Sequence, residues 1–211
     1  MANEAVSEKD TVLYRIGQGF AWLLVHLIMP VRYHGKEKLQ NRQGPYVLIS
    51  NHRHALDPVV LAWPVPSQCV FLGKKELAKS AFLKKCLTDL HCILVDRHNR
   101  DMEAMRSCMK AVKMGKVLVV FPEGTRHHEG QMEQIENGTS LIVMRGRVPV
   151  IPVYLDGKLK LFRRINAYVG DPIEYSDLLA KGINVESCEE MNERMRETFR
   201  KLIAESAEHP S

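Results

Sequence analysis

Lys116-Val117-Leu118-Val119-Val120-Phe121-Pro122-Glu123-Gly124-Thr125-Arg126 decides the fold. After Lys116 come five apolar residues in a row, mostly β-branched, with no alternation of polar and apolar positions. A strand without a polar face is covered on both sides, the condition of a parallel sheet held between two layers of helices. The pattern then breaks at once. Pro122 cannot donate to a ladder, and Gly124 tolerates a sharp turn, so a charged, polar loop leaves the strand end.

Outward from this strand, helix and strand signals alternate. Asp101 to Met114 reads as a helix with Met102, Met105, Met109 and Val112 facing inward and Gly115 as its stop. Cys92 to Val95 and Cys69 to Leu72 read as strands, and Lys75 to Leu87 as a helix with Leu77, Phe82, Leu83 and Leu87 apolar. Tyr46 to Ser50 is a further strand, followed by a helical turn from Pro58 to Trp63. Downstream, Val148 to Leu155 is a strand whose Pro149 and Pro152 place it at an edge or a bulge. Ser187 with Glu190 forms a capping box opening a helix through about Ala204, its inner face Met191, Met195, Phe199, Leu202 and Ile203. The alternation predicts a single α/β domain, a mostly parallel central sheet covered by helices.

Composition agrees and narrows the partners. The 211 residues are 45% hydrophobic and 26% charged, which excludes disordered, collagen-like and coiled-coil chains. The net charge of +5 is uneven: residues 171–211 carry ten acids and five bases, so the body is basic. A basic body points to an anionic partner: a phosphorylated small molecule, an anionic membrane surface or nucleic acid. No nucleic-acid-binding signature is visible and aromatics are only 7%, so no nucleic acid is expected. Five cysteines without a Cys-x-x-Cys pair fit reduced thiols in the cytosol, and the polar first ten residues do not read as a signal peptide.

Ile16 to Val31 holds no Lys, Arg, Asp or Glu over sixteen residues. A spanning helix wants about 20 apolar residues, and Pro30 stops this run. Leu13, Ile16, Phe20, Leu24 and Leu27 share a helical face, widened by Trp22, Leu23 and Met29. The expectation is an N-terminal membrane-interfacial helix, with Lys9, Arg15 and Arg32 near anionic headgroups. A helix packed on the domain core is the alternative.

Functional groups in open α/β sheets collect where strands end. His52 leaves the strand ending at Ser50, and Asp57 follows five residues later. An imidazole there can take a hydroxyl proton while a carboxylate fixes its tautomer and stabilises the imidazolium. Asp57-Pro58 is equally a helix N-cap followed by Pro at the first helical position. After the deciding strand, Gly124 lets the backbone approach an anion, Thr125 adds a hydroxyl and Arg126 a guanidinium fork. Asp96-Arg97 stands just past another strand, where Arg97 reads as a second phosphate ligand or as a surface ion pair.

Taken together, these blocks resemble the glycerolipid acyltransferase family, the 1-acyl-sn-glycerol-3-phosphate acyltransferases and relatives. Asn51-His52-x4-Asp57 is similar to the family's catalytic motif, and Asp96-Arg97 to its second motif. Phe121-Pro122-Glu123-Gly124-Thr125-Arg126 is similar to its acceptor-binding signature, here complete. Val148 to Val153 resembles the fourth block, an apolar strand with proline. The resemblance implies His52 and Asp57 as catalytic residues, and Arg97, Glu123, Gly124, Thr125 and Arg126 as ligands of the acceptor phosphate and glycerol. It implies a lipid acceptor, an acyl-CoA or acyl carrier protein thioester as co-substrate, and neither cofactor nor metal. It places residues 1–32 as a membrane-associating helix and 33–211 as the acyltransferase domain, peripheral or monotopic on the cytoplasmic face of a membrane. The chain departs from the family at His127-His128 and at Glu136-Asn137-Gly138, where a Lys-Gly pair is usual. Lys74, Lys75, Lys79, Lys84 and Lys85 offer a surface for coenzyme A phosphates or an acidic carrier protein, or are a solvated helix face. A zinc hydrolase built on His52, His54 and Asp57 is the rival enzyme class, but its His-x-His-x-Asp-His pattern is not matched.

Overall fold

A computed structural model describes residues 12–23, 26–27, 30–96, 101–126, 132–156 and 164–208. Seven strands form one sheet: β1 (Val31–His34), β2 (Tyr46–Ser50), β3 (Cys69–Lys74), β4 (Cys92–Val95), β5 (Val117–Val120), β6 (Val150–Asp156) and β7 (Ile165–Val169). Their spatial order is β1-β7-β6-β2-β5-β3-β4. Every pair is parallel except β6 with β7.

The apolar run at residues 117–120 is explained by two cores. Leu118 and Val120 face one layer, Val117 and Val119 the other, as alternating strand side chains must. The first layer is α5 (Met102–Lys113), α6 (Asn137–Gly146) and α8 (Val185–Glu208), which contribute Cys108, Ala111, Val143, Met191, Met195 and Phe199. The second is α2 (Glu37–Gln40) and α3 (Asp57–Ala62), which contribute Leu39, Val60 and Leu61. Two further helices, α1 (Val12–Leu23) and α4 (Ala81–Asp89), lie against each other beyond α3, and α7 (Ser176–Lys181) precedes α8.

Several local expectations change. The proline-bearing strand β6 is interior, between β7 and β2. Its pairing with β7 runs from Val153↔Val169 to Asp156↔Asn166, so Pro152 stands just past the end of that ladder. The Pro152 carbonyl accepts from Gly170 N at 2.9 Å, so its ring nitrogen faces the same side, where no donor is required. Gly170 leaves room for the ring: a Cβ there would meet Pro152 Cγ at 2.8 Å. On α5 the buried stripe is Ala104, Ser107, Cys108, Ala111 and Val112, while Met102 is exposed and Met105 and Met109 flank the core. The capping box of α8 lies one frame earlier than expected. Asn184 Oδ1 accepts from Ser187 N at 2.8 Å, and Ser187 Oγ accepts from Asn184 N at 3.0 Å. Glu190 instead pairs with Lys181 and Arg194.

Helix α1 buries its narrow side. Tyr14 and Ala21 are buried, and the Tyr14 hydroxyl accepts from Cys69 N at 3.0 Å at the start of β3. A Cβ on Gly17 would stand 3.5 Å from Leu90, so the α1–α4 contact is close there. Ile16, Phe20 and Trp22 on the expected apolar face are exposed; Leu24 and Met29 lie outside the described residues. Among the described residues no helix is long and apolar enough to cross a membrane.

Candidate active site

The chain leaves the C-terminal ends of β2, β4 and β5 on the same side of the sheet, and these exits carry the chemistry. Asn51 closes β2: its side-chain amide donates to Leu155 O at 3.0 Å and accepts from Leu155 N at 2.8 Å. That double bond to β6 fixes where the main chain departs, and His52 is the next residue.

Asp57 does not cap α3. The residue before α3, Leu56, provides no side-chain cap, and the Asp57 carboxylate turns back into the loop. Its Oδ2 accepts from Arg53 N and His54 N, each at 2.7 Å, and lies 2.9 Å from His52 Nδ1. The side chain is 1% exposed, so these contacts replace solvent rather than supplement it. A carboxylate can only accept, so Nδ1 carries the hydrogen and Nε2 is left as the basic nitrogen. The ring is 17% exposed and lines the large cavity described below. Phe121 stacks on it with ring centroids 4.1 Å apart, which fixes the plane of the imidazole.

The β5 exit holds the same loop from the other side. Glu123 is buried and its Oε2 accepts from His52 N at 3.0 Å. Thus Glu123, expected as an acceptor ligand, faces the His52 backbone rather than the cavity wall. Gly124 has φ +66°, a conformation that costs other residues, and its N–H closes a tight turn on Phe121 O at 3.0 Å. That turn presents Thr125 and Arg126, both exposed, at the cavity. Pro122 O accepts from Glu136 N at 2.8 Å, which ties the start of α6 to the turn.

At the β4 exit, Asp101 has two tasks that sequence reading missed. Its Oδ1 caps α5 through Ala104 N at 2.8 Å, and its Oδ2 accepts from Asp96 N at 2.9 Å. Its place immediately before the helical periodicity was the available signal. Asp96 lies at the cavity edge, and Arg97 lies outside the described residues.

The cavity measures about 1640 Å³ and its walls are mainly apolar. His52, Thr125 and Arg126 are among its polar lining. Phe71, Leu72, Leu87, Leu90 and Val120 line its apolar reach, which continues to Gly17 and Ala21 of α1. Glu136 and Gly138 border it. A base on the wall of a large, mainly apolar cavity suits a substrate with a reactive carbonyl and a hydrocarbon tail.

Among the described residues the rival metal reading finds no cluster. Oδ2 of Asp57 is spent on three donors, and His54 Nδ1 accepts from Leu56 N at 3.2 Å. Among the described residues no three His, Cys, Asp or Glu side chains are grouped to hold a metal; His98, His127 and His128 lie outside them.

Comparison with known proteins agrees with the geometry. The chain is 28% identical over 212 residues to the 1-acyl-sn-glycerol-3-phosphate acyltransferase of Streptococcus pneumoniae, covering 97% of this chain and 78% of that one. To the enzyme of the same name from Bacillus subtilis it is 27% identical, covering 82% of this chain and 89% of the other. The crystal structure of PlsC, the 1-acyl-sn-glycerophosphate (LPA) acyltransferase of Thermotoga maritima, has the same fold. The two superpose with a TM-score of 0.70 at 22% identity, over 94% of this chain and 80% of that one. The sequence pattern of the Acyltransferase family matches residues 30–156. That span opens at β1, closes at the end of β6 and takes in each strand exit just described, and the chain belongs to the acyltransferase family.

Proposed function

We propose that the protein transfers a fatty acyl group from a thioester to the free hydroxyl of lysophosphatidate, giving phosphatidate for phospholipid synthesis. The thioester is carried by coenzyme A or by an acyl carrier protein. The observation that carries this reading is the His52–Asp57 pair, 2.9 Å apart, with His52 on the wall of the mainly apolar cavity. The relatives' names support lysophosphatidate as acceptor.

In this reading His52 Nε2 removes the hydroxyl proton as that oxygen bonds to the thioester carbonyl carbon. The carbon–sulfur bond then breaks, and the imidazolium returns the proton to the departing thiolate. No acyl-enzyme forms, and no cofactor is needed. Asp57 balances the imidazolium charge, while Glu123 and Phe121 keep the ring in place. Thr125 and Arg126 hold the acceptor phosphate; Arg97 joins them on the family resemblance alone. General-base action contributes about 10²–10⁴ in rate, and alignment of the two substrates much of the remainder. The outward apolar face of α1 rests in a membrane at its cytoplasmic side, where acceptor and product reside.

The test is labelled acyl transfer from palmitoyl-coenzyme A to lysophosphatidate in mixed micelles, wild type beside His52→Ala. Product from wild type only is expected. Equal product from both would end the assignment of His52, and product from glycerol 3-phosphate alone would replace the acceptor. That arm is needed because the acidic Glu136 stands at the cavity border.

A further inference from the structure

Helix α4 has no buried side chain, although its sequence is one-third leucine and phenylalanine. Phe82, Cys86 and Leu90 form one i, i+4 stripe and Leu83 with Leu87 the next. Their C-terminal ends do the packing: Leu87 and Leu90 line the cavity, and Leu90 meets Gly17 of α1. The N-terminal ends of the same stripes carry the exposure, on a helix that packs against the edge strand β4. There Phe82 is 74% exposed and Leu83 43%, with Leu77 of the preceding turn beside the cavity mouth. The sequence marks these residues only as apolar; the helix points Phe82 and Leu83 outward.

The surroundings name the partner. Residues 74–85 hold five lysines and one glutamate, and Lys75, Lys79, Lys84 and Lys85 are exposed. Apolar exposure continues across α1 through Val12, Ile16, Phe20 and Trp22, a spread wider than one docked protein helix covers. Large apolar side chains ringed by lysine suit an anionic bilayer, with the side chains in the acyl boundary and the ammonium groups among headgroups. Both helices bound the same cavity.

We infer that α4 is a second membrane contact, internal to the domain, which inserts Phe82 and Leu83 into an anionic lipid surface beside α1. The two helices are then the lips of the cavity, and its mouth opens onto lipid rather than water. This rests on the reading of a lipid acceptor only for its purpose, because the contact itself is measured without turnover.

The experiment is flotation of the full chain with vesicles of phosphatidylcholine alone and of phosphatidylcholine with phosphatidylglycerol, wild type beside Phe82→Ser/Leu83→Ser. The expected result is binding of wild type to the phosphatidylglycerol vesicles, weakened about tenfold or more in the variant. Melting temperature and turnover of a monomeric, short-chain lysophosphatidate stay unchanged, since neither side chain touches the site. Vesicle binding equal in the two proteins, or absent in both, overturns the inference. So does unchanged vesicle binding with a selective loss of activity toward acyl carrier protein donors, which would give the surface to that protein. Binding that depends on Phe82 and Leu83 in a chain that acylates no lysophosphatidate would keep the membrane contact and end the substrate assignment.

Discussion

Replacing Asp57 by Asn separates what its charge does from what its shape does. The amide is nearly isosteric, and the Arg53 and His54 N–H groups, 2.7 Å from Oδ2, select its oxygen for that position. The oxygen can still accept from His52 Nδ1, so the tautomer is kept and the loop stays folded. What disappears is a negative charge 2.9 Å from the imidazolium formed during transfer. At an effective dielectric constant of about 20 that interaction is about 6 kcal/mol at most. Solvent at the exposed part of the ring and the amide dipole return a share, leaving a loss of about 3–4 kcal/mol, or about 10²–10³ in turnover. Asp57→Ala serves as the contrast. It strips the acceptor from two loop amides, each costing about 1–3 kcal/mol, so the urea midpoint falls as well as the rate. The assay is single-turnover acyl transfer beside urea unfolding for both variants. Asp57→Asn within about threefold of wild-type turnover, at unchanged stability, would show that the carboxylate only shapes the loop and would refute the general-base pair.

Glu123→Gln retains an acceptor for His52 N and keeps most activity, whereas Glu123→Ala loses it and destabilises by about 1–3 kcal/mol; urea unfolding with turnover distinguishes them. Gly170→Ala drives a methyl into Pro152 and lowers stability by about 1–3 kcal/mol with little change in activity per folded molecule, read by thermal unfolding. Burial pushes the thiols of Cys69, Cys92 and Cys108 up to about 12, so they stay protonated at mildly alkaline pH; mass spectrometry after brief alkylation finds label only on the half-buried Cys86 and Cys188 until the protein is denatured. Deleting residues 1–30 removes the exposed face of α1 and reduces flotation with anionic vesicles.

The sheet was legible because its central strands are buried on both faces: Tyr46 to Ser50 and Val117 to Val120 show it as unbroken apolar runs. The edge was not. β1 is four residues with Arg32 and His34 in it, and β7 carries Asn166, so neither stands out from a loop. Pro152 misled for a different reason: a proline's tolerance depends on which neighbour its nitrogen faces, and only the register reveals that. At the site, the strand-end rule and the resemblance pointed to His52, Asp57 and the Gly124 turn, and the structure brings these residues together around one loop. The inward turn of Glu123 and the Phe121 stack join residues from separate loops, contacts that no local pattern records, whereas the Asp101 clamp stays within its own loop. Amphipathicity marked α1 and α4 as two-faced helices, but which face meets the protein follows from tertiary packing.

Asn51 carries a side chain that imitates a peptide group. It gives one hydrogen bond to Leu155 and takes one back, as a residue of a neighbouring strand would, so the sheet gains a rung after the main chain has turned away. The backbone is thereby released from pairing one residue early, and that freed residue is His52. The arrangement depends on a single nitrogen atom. Hydrolysis of that amide, the slow chemical ageing to which asparagine is prone, would set a carboxylate oxygen against the Leu155 carbonyl and push the strand end open. Asn51 is fully buried, so its two bonds to Leu155 stand in for the solvent its carboxamide has lost.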